Sequence, residues 1–282
     1  MNILDDRYIT VAGIKTRYQQ IGTNGPALVL VHGIASSIED WKDNIVELSR
    51  GRRVIAFDLV GCGRSDKPLN QNYSISELAK FTLELMTVLG LDKVDLCGFS
   101  MGGRIALECA HMAPTRVRSL VISAPAGVGL KTIIDFRLAT LKGIGELLTT
   151  PSQFGMRRLM QKAYANPAKI TDSMISERLE LSKLPGAQAA FLMMLRGMTR
   201  LRGFRPSTVN ELHSWLPSIS QPTLIVWGKQ DRFLPVSQSY NLSNLMPSST
   251  LKLYEDSGHL PHAEEVEKFN KDVLKFLEDL GE

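Results

Sequence analysis

Gly98-Phe99-Ser100-Met101-Gly102 constrains this chain more than any other stretch. It follows the short apolar run Val94-Asp95-Leu96-Cys97 and precedes a helix-like segment from Gly103 to His111. A serine between two glycines, at a turn from strand to helix, can be forced into a backbone conformation that lifts its hydroxyl clear of the surface. A Cβ at either glycine would collide where strand and helix pass close together. The spacing marks Ser100 as a nucleophile, set against the plainer reading of a structural turn.

A nucleophile needs a base, and the base needs a group to orient it. The chain has five histidines. His259 lies in Asp256-Ser257-Gly258-His259, just after the strand-like Thr250–Tyr254, and is the favoured base. His111 reads as a charge at a helix C-terminus, and His213 as an exposed residue of a polar helix. His262 follows a proline three residues after His259, and spacing alone does not exclude it. Asp231 is the expected acid, because it follows the apolar run Pro222–Val226 and so sits at a strand's C-terminal end, where open α/β sheets bind ligands. Asp256, so near His259, fits a turn-shaping role better. Two backbone N–H groups are expected to hold the oxyanion: Met101, directly after the nucleophile, and Ile34, where Gly33 lets the chain bend after the strand Ala27–Val31.

These motifs together resemble an α/β-hydrolase-fold serine hydrolase. The resemblance runs from about Arg7 to the C-terminal helix and rests on five elements in order. They are His32-Gly33, Asp58 to Ser65, Gly98 to Gly103, Gly228 with Asp231 and Pro235, and Gly258-His259 with Glu264. It implies an α/β fold with a mostly parallel eight-stranded sheet flanked by helices, and an α-helical cap inserted after the sixth strand. It also implies that His32 and the Asp58–Ser65 loop are structural rather than catalytic. Relatives with an aspartate nucleophile include dehalogenases and epoxide hydrolases; Ser100 argues against both.

Periodicity gives the same organisation. An opening hairpin over Arg7–Val11 and Ile14–Ile21 turns at Ala12-Gly13, and a helix begins at Ser74 with Glu77 completing a capping box. From 127 to 215 the pattern becomes helical, over Thr132–Leu148, Gln153–Ala165, Asp172–Leu184 and Ala187–Met198, with no strand between them and with Pro151, Pro167 and Pro185 at the boundaries. The expected division is therefore residues 1–126 and 216–282 as the core and 127–215 as the cap. The cap methionines Met156, Met160, Met174, Met193, Met194 and Met198 suit packing better than an acyl-binding wall. Thirteen Lys or Arg against six Asp or Glu make this segment +7 in a chain of +4, a spread that reads as a solvated face.

An apolar share of 44% suffices for a large core. The start lacks a basic n-region and an apolar h-region, no apolar run approaches the ~20 residues of a membrane span, and Cys62, Cys97 and Cys109 are odd in number and scattered. A cytoplasmic protein without stable membrane insertion is expected. No P-loop, His-Glu-x-x-His or phosphate-binding glycine pattern occurs, so no cofactor or metal is expected, nor any nucleic-acid partner. The leading functional expectation is hydrolysis of a small-molecule carboxylic ester through an acyl-enzyme. The alternatives are carbon–carbon cleavage of ring-opened diketones, perhydrolysis, and a non-catalytic small-molecule receptor. Relatives of the first kind often carry Gly-Pro-Gly after the His-Gly, where this chain has Ile34-Ala35-Ser36-Ser37.

Overall fold

The computed structural model describes residues 5–281. Strands β1 (Arg7–Val11), β2 (Ile14–Ile21), β3 (Ala27–Val31), β4 (Arg53–Phe57), β5 (Val94–Phe99) and β6 (Val117–Ser123) precede two short strands, β7 (Thr199–Arg200) and β8 (Gly203–Phe204). β9 (Thr223–Gly228) and β10 (Ser249–Tyr254) complete the set. Eight of them form one sheet in the order β1-β2-β4-β3-β5-β6-β9-β10. The pairs β1–β2 and β2–β4 are antiparallel, and the other neighbours are parallel. Every residue of β3, β5 and β9 is buried. Helices cover parallel strands on both faces, which is why Ala27–Val31 and Thr223–Val226 read as unbroken apolar runs instead of alternating ones.

The core helices are α1 (Ile45–Leu48), α2 (Ile75–Val88) and α3 (Met101–Met112) before the insertion. α2 packs on α3. Ser74 caps α2, its hydroxyl accepting the Glu77 N–H at 3.3 Å. The reciprocal half of the expected capping box is replaced: Glu77 pairs instead with Lys80, and the Ser74 N–H donates to Asn72 Oδ1.

Between β6 and β9 the chain leaves the sheet for α4 (Ile134–Ala139), α5 (Ile144–Leu148), α6 (Gln153–Ala163), α7 (Asp172–Ser182), α8 (Ala187–Met198) and α9 (Pro206–Trp215). The helix expected over 132–148 is two helices, because Gly143 takes φ +78° and turns the chain between them. The segment also contains a strand pair that the sequence reading did not anticipate, β7 with β8 in antiparallel register. A two-residue strand is too short to carry an alternation signal. α10 (Ser237–Leu245), the short α11 (Pro261–Glu264) and α12 (Val266–Asp279) return to the core, with α12 packed on α1. No helix among the described residues is long and apolar enough to cross a membrane.

Leu96 is fully buried at the middle of β5, between β3 and β6. Leu96→Ala is expected to cost about 2–5 kcal/mol through lost burial and a residual cavity, read as a lower urea midpoint with unchanged slope.

Candidate active site

The crossing of β5 and α3 is closer than side chains allow. A Cβ on Gly98 would lie 2.3 Å from the Gly102 carbonyl oxygen, and one on Gly102 would lie 2.1 Å from that of Val31. The residue between them bears the distortion: Ser100 has φ +53° and ψ −116°. Non-glycine residues there cost about 1–3 kcal/mol and persist only where neighbours over-determine them. Three backbone hydrogen bonds do so here. The Ser100 N–H donates to Ser123 O at 2.8 Å, and the Ser100 carbonyl accepts from the N–H groups of Arg104 and Ala126 at 3.1 and 3.0 Å.

His259 Nε2 lies 3.1 Å from Ser100 Oγ, and His259 Nδ1 lies 2.8 Å from Asp231 Oδ2. A carboxylate oxygen accepts, so the ring proton sits on Nδ1 and Nε2 is left to accept from the serine hydroxyl. The other carboxylate oxygen, Asp231 Oδ1, accepts the N–H groups of Phe233 and Leu234 at 2.7 and 2.9 Å. The imidazole stacks on Phe233 with centroids 4.8 Å apart, and its backbone N–H donates to Ala163 O in the insertion at 2.7 Å. All three side chains are buried, although they come from the ends of three different strands.

Ile34 and Met101 face the same narrow cavity as Ser100 and His259. Met101 opens α3, where N–H groups have no carbonyl a turn earlier to bind. Gly33 brings the other loop against the nucleophile, since a Cβ there would lie 3.5 Å from Ser100 Cβ. His32 anchors that loop: its Nδ1 donates to Gly33 O at 2.7 Å and its Nε2 accepts from the Leu59 N–H at 3.0 Å. Asp58 is likewise structural, accepting from Ile38 and Arg64 N–H groups, and its burial holds the carboxyl above its ordinary value despite His32 and Arg17.

The competing histidines take other positions. His262 is wholly buried, its ring 4.6 Å from those of Trp41 and Phe99. His111 is exposed and stacks on Trp215. His213, expected to be exposed, is half-buried and donates from Nε2 to Val128 O at 2.7 Å. Asp256 is exposed in its turn.

The cavity holds about 20 Å³, room for roughly one water, and its remaining wall is almost wholly apolar. Phe136, Leu195, Met198 and Phe204 contribute from the insertion, and Phe233 and Leu234 from the core. Among the insertion methionines Met198 reaches the cavity wall, while Met160 and Met194 are buried in packing. Phe233 went unnoticed in sequence, although it stands only two residues after Asp231.

A serine poised on a strand–helix elbow and in line with a histidine and a carboxylate, at the C-terminal edge of a mostly parallel sheet, is the arrangement of a hydrolase. The chain belongs to the alpha/beta hydrolase fold family, which it matches over residues 26–266. It is 31% identical to the 2-hydroxy-6-oxo-2,4-heptadienoate hydrolase of Pseudomonas putida strain F1, over 96% of this chain and 95% of that protein. It is 32% identical to a dihydrolipoyllysine-residue acetyltransferase component of the acetoin cleaving system, also from Pseudomonas putida, over 95% of this chain and 68% of that one. The solved meta-cleavage product hydrolase of Pseudomonas fluorescens IP01 superposes with a TM-score of 0.83 at 28% identity, covering 97% of both chains.

Burial pushes the His262 imidazole down to about 4 from 6.5, because the charged form would lose its hydration. The folded protein thus binds this proton less readily than the unfolded chain, so stability falls as pH drops from 6.5 towards 4. His262→Leu is expected to remove that contribution: the stability of wild type relative to the variant should decline across this window in urea titrations at stepped pH.

Proposed function

We propose that this chain is a serine hydrolase that cleaves carboxylic esters with apolar acyl groups. Ser100 attacks the carbonyl while His259 takes its proton, and Asp231 holds the imidazole and stabilises its charged form. The N–H groups of Ile34 and Met101 receive the oxyanion, each worth roughly 3–4 kcal/mol of barrier. His259 then protonates the leaving alkoxide, and water repeats the sequence on the acyl-enzyme. The observation that carries the reading is the cavity wall: beside the histidine, no cation among the described residues lines the space in front of Ser100. The cavity is narrow as it stands, and the reading includes outward movement of the insertion helices as a cap when an ester enters. Three free, buried cysteines support a reducing, cytoplasmic setting.

Carbon–carbon hydrolysis is the second reading, favoured by the names of full-length relatives. A dienoate carries a carboxylate, which a dry pocket would have to pair with a cation. Arg178 of the insertion is instead engaged by Asp40.

Steady-state hydrolysis of p-nitrophenyl esters from acetate to palmitate, beside 2-hydroxy-6-oxo-2,4-heptadienoate, separates the two. Ester turnover well above dienoate turnover is expected; the reverse preference would replace the ester reading. Ser100→Ala should lower kcat by roughly a millionfold with an unchanged circular dichroism spectrum. Stoichiometric labelling of Ser100 without turnover on either substrate would point to a receptor.

A further inference from the structure

The loop that offers the Ile34 N–H is fastened at its start by His32, within the core. Its far end is fastened twice: from the core, where the Ile38 N–H donates to Asp58, and from outside it. Ser36 donates its hydroxyl to Asp40, and Arg178, on α7 of the insertion, binds both: Nη1 donates to Ser36 Oγ at 3.2 Å, and Nη2 pairs with Asp40 Oδ1. Between the two anchors Ala35 is held at φ +53°, a conformation that a β-carbon disfavours. Asp40 is buried. Burial works to raise its carboxyl, but the Arg178 guanidinium, His262, the Ser36 hydroxyl and His32 together keep it below its ordinary value. A second pair, Lys42 with Glu177 at 3.1 Å, joins the same two segments, Glu177 one residue from Arg178 and Lys42 two from Asp40.

We infer that Arg178 is a positioning residue for catalysis: through Ser36 and Asp40 it holds the Gly33–Ser37 loop in the form that presents the Ile34 N–H to the oxyanion. This rests on the acyl-transfer reading above. Arg178 touches no reacting atom. Its planar fork spans a hydroxyl and a carboxylate at once, which an ammonium point charge does less well. Since the guanidinium belongs to the insertion, docking of α7 and completion of the oxyanion hole are one event. When α7 lifts, the loop keeps its core bonds at His32 and Ile38 but loses the guanidinium that holds Ser36 and Asp40.

The test compares wild type with Arg178→Met, with Arg178→Lys, and with the double variant Arg178→Met/Asp40→Asn, which leaves no unpaired buried charge. Three quantities are read: kcat and KM on p-nitrophenyl butyrate, the rate at which a fluorophosphonate labels Ser100, and the affinity for an alkyl trifluoromethyl ketone, whose adduct carries the oxyanion. Both Met-containing proteins should lose about ten- to a hundredfold in kcat with KM within twofold. Labelling rate and ketone affinity should fall by the same factor, and Arg178→Lys should recover part of each. Thermal unfolding identifies a misfolded single variant, in which case the double variant carries the comparison. Wild-type kcat and ketone affinity in a folded double variant would overturn the inference, as would losses in KM alone. Labelling of wild type without ester turnover would remove the ester reading but leave Arg178 decided by labelling rates. Absence of labelling in wild type would overturn both.

Discussion

The contact between β5 and α3 is the constraint from which the rest follows. Two glycines let a strand and a helix meet backbone to backbone, and Ser100 between them has no relaxed conformation available. The direction of its Cα–Cβ bond is therefore set by the main chain. The same approach brings Gly102 against the end of β3, so the loop that follows β3 is delivered beside the nucleophile. The setting of Ser100, of the Met101 N–H and of the loop that holds Ile34 thus arises from one steric condition.

The other participants are supplied by sheet order. β9 lies beside β6 and β10 beside β9, so the loops after them open on the same edge as the elbow after β5. Asp231 and His259 meet because their strands are adjacent and parallel, although 28 residues separate them in the chain. The short reach of a carboxylate is compensated by the two N–H groups that hold it from behind.

What was legible in the sequence follows from this. Buried parallel strands leave unbroken apolar runs, and strained turns leave glycines, so the sheet, the elbow and the residues brought together by geometry at 2.8 and 3.1 Å could all be read. The insertion could be read as helical but not in detail, since Gly143 splits a continuous period and β7–β8 is shorter than any pattern. His213 appeared exposed because a polar helix conceals a single bond to a distant carbonyl. The wall of the cavity and the Arg178–Asp40 pair were not legible at all: they join residues more than a hundred positions apart that no local rule connects.

Glu264 gives the architecture a further property. Its carboxylate accepts the N–H of Gly258, directly before His259, and the N–H of Ala165, two residues beyond α6, while the His259 N–H itself donates to Ala163. The loop that carries His259 is thus joined to the stretch leaving α6 by one main-chain bond and by the Glu264 carboxylate. The side chains that line the cavity from α4 and α8 reach it through apolar contacts instead. The insertion is consequently held in two ways: a stretch around 163–178 tied by polar bonds to the loops that carry His259 and Ile34, and flanking helices that meet the cavity through apolar contacts. A side chain exchanged on α4 or α8 alters the cavity wall without touching a bond that holds the loop of His259.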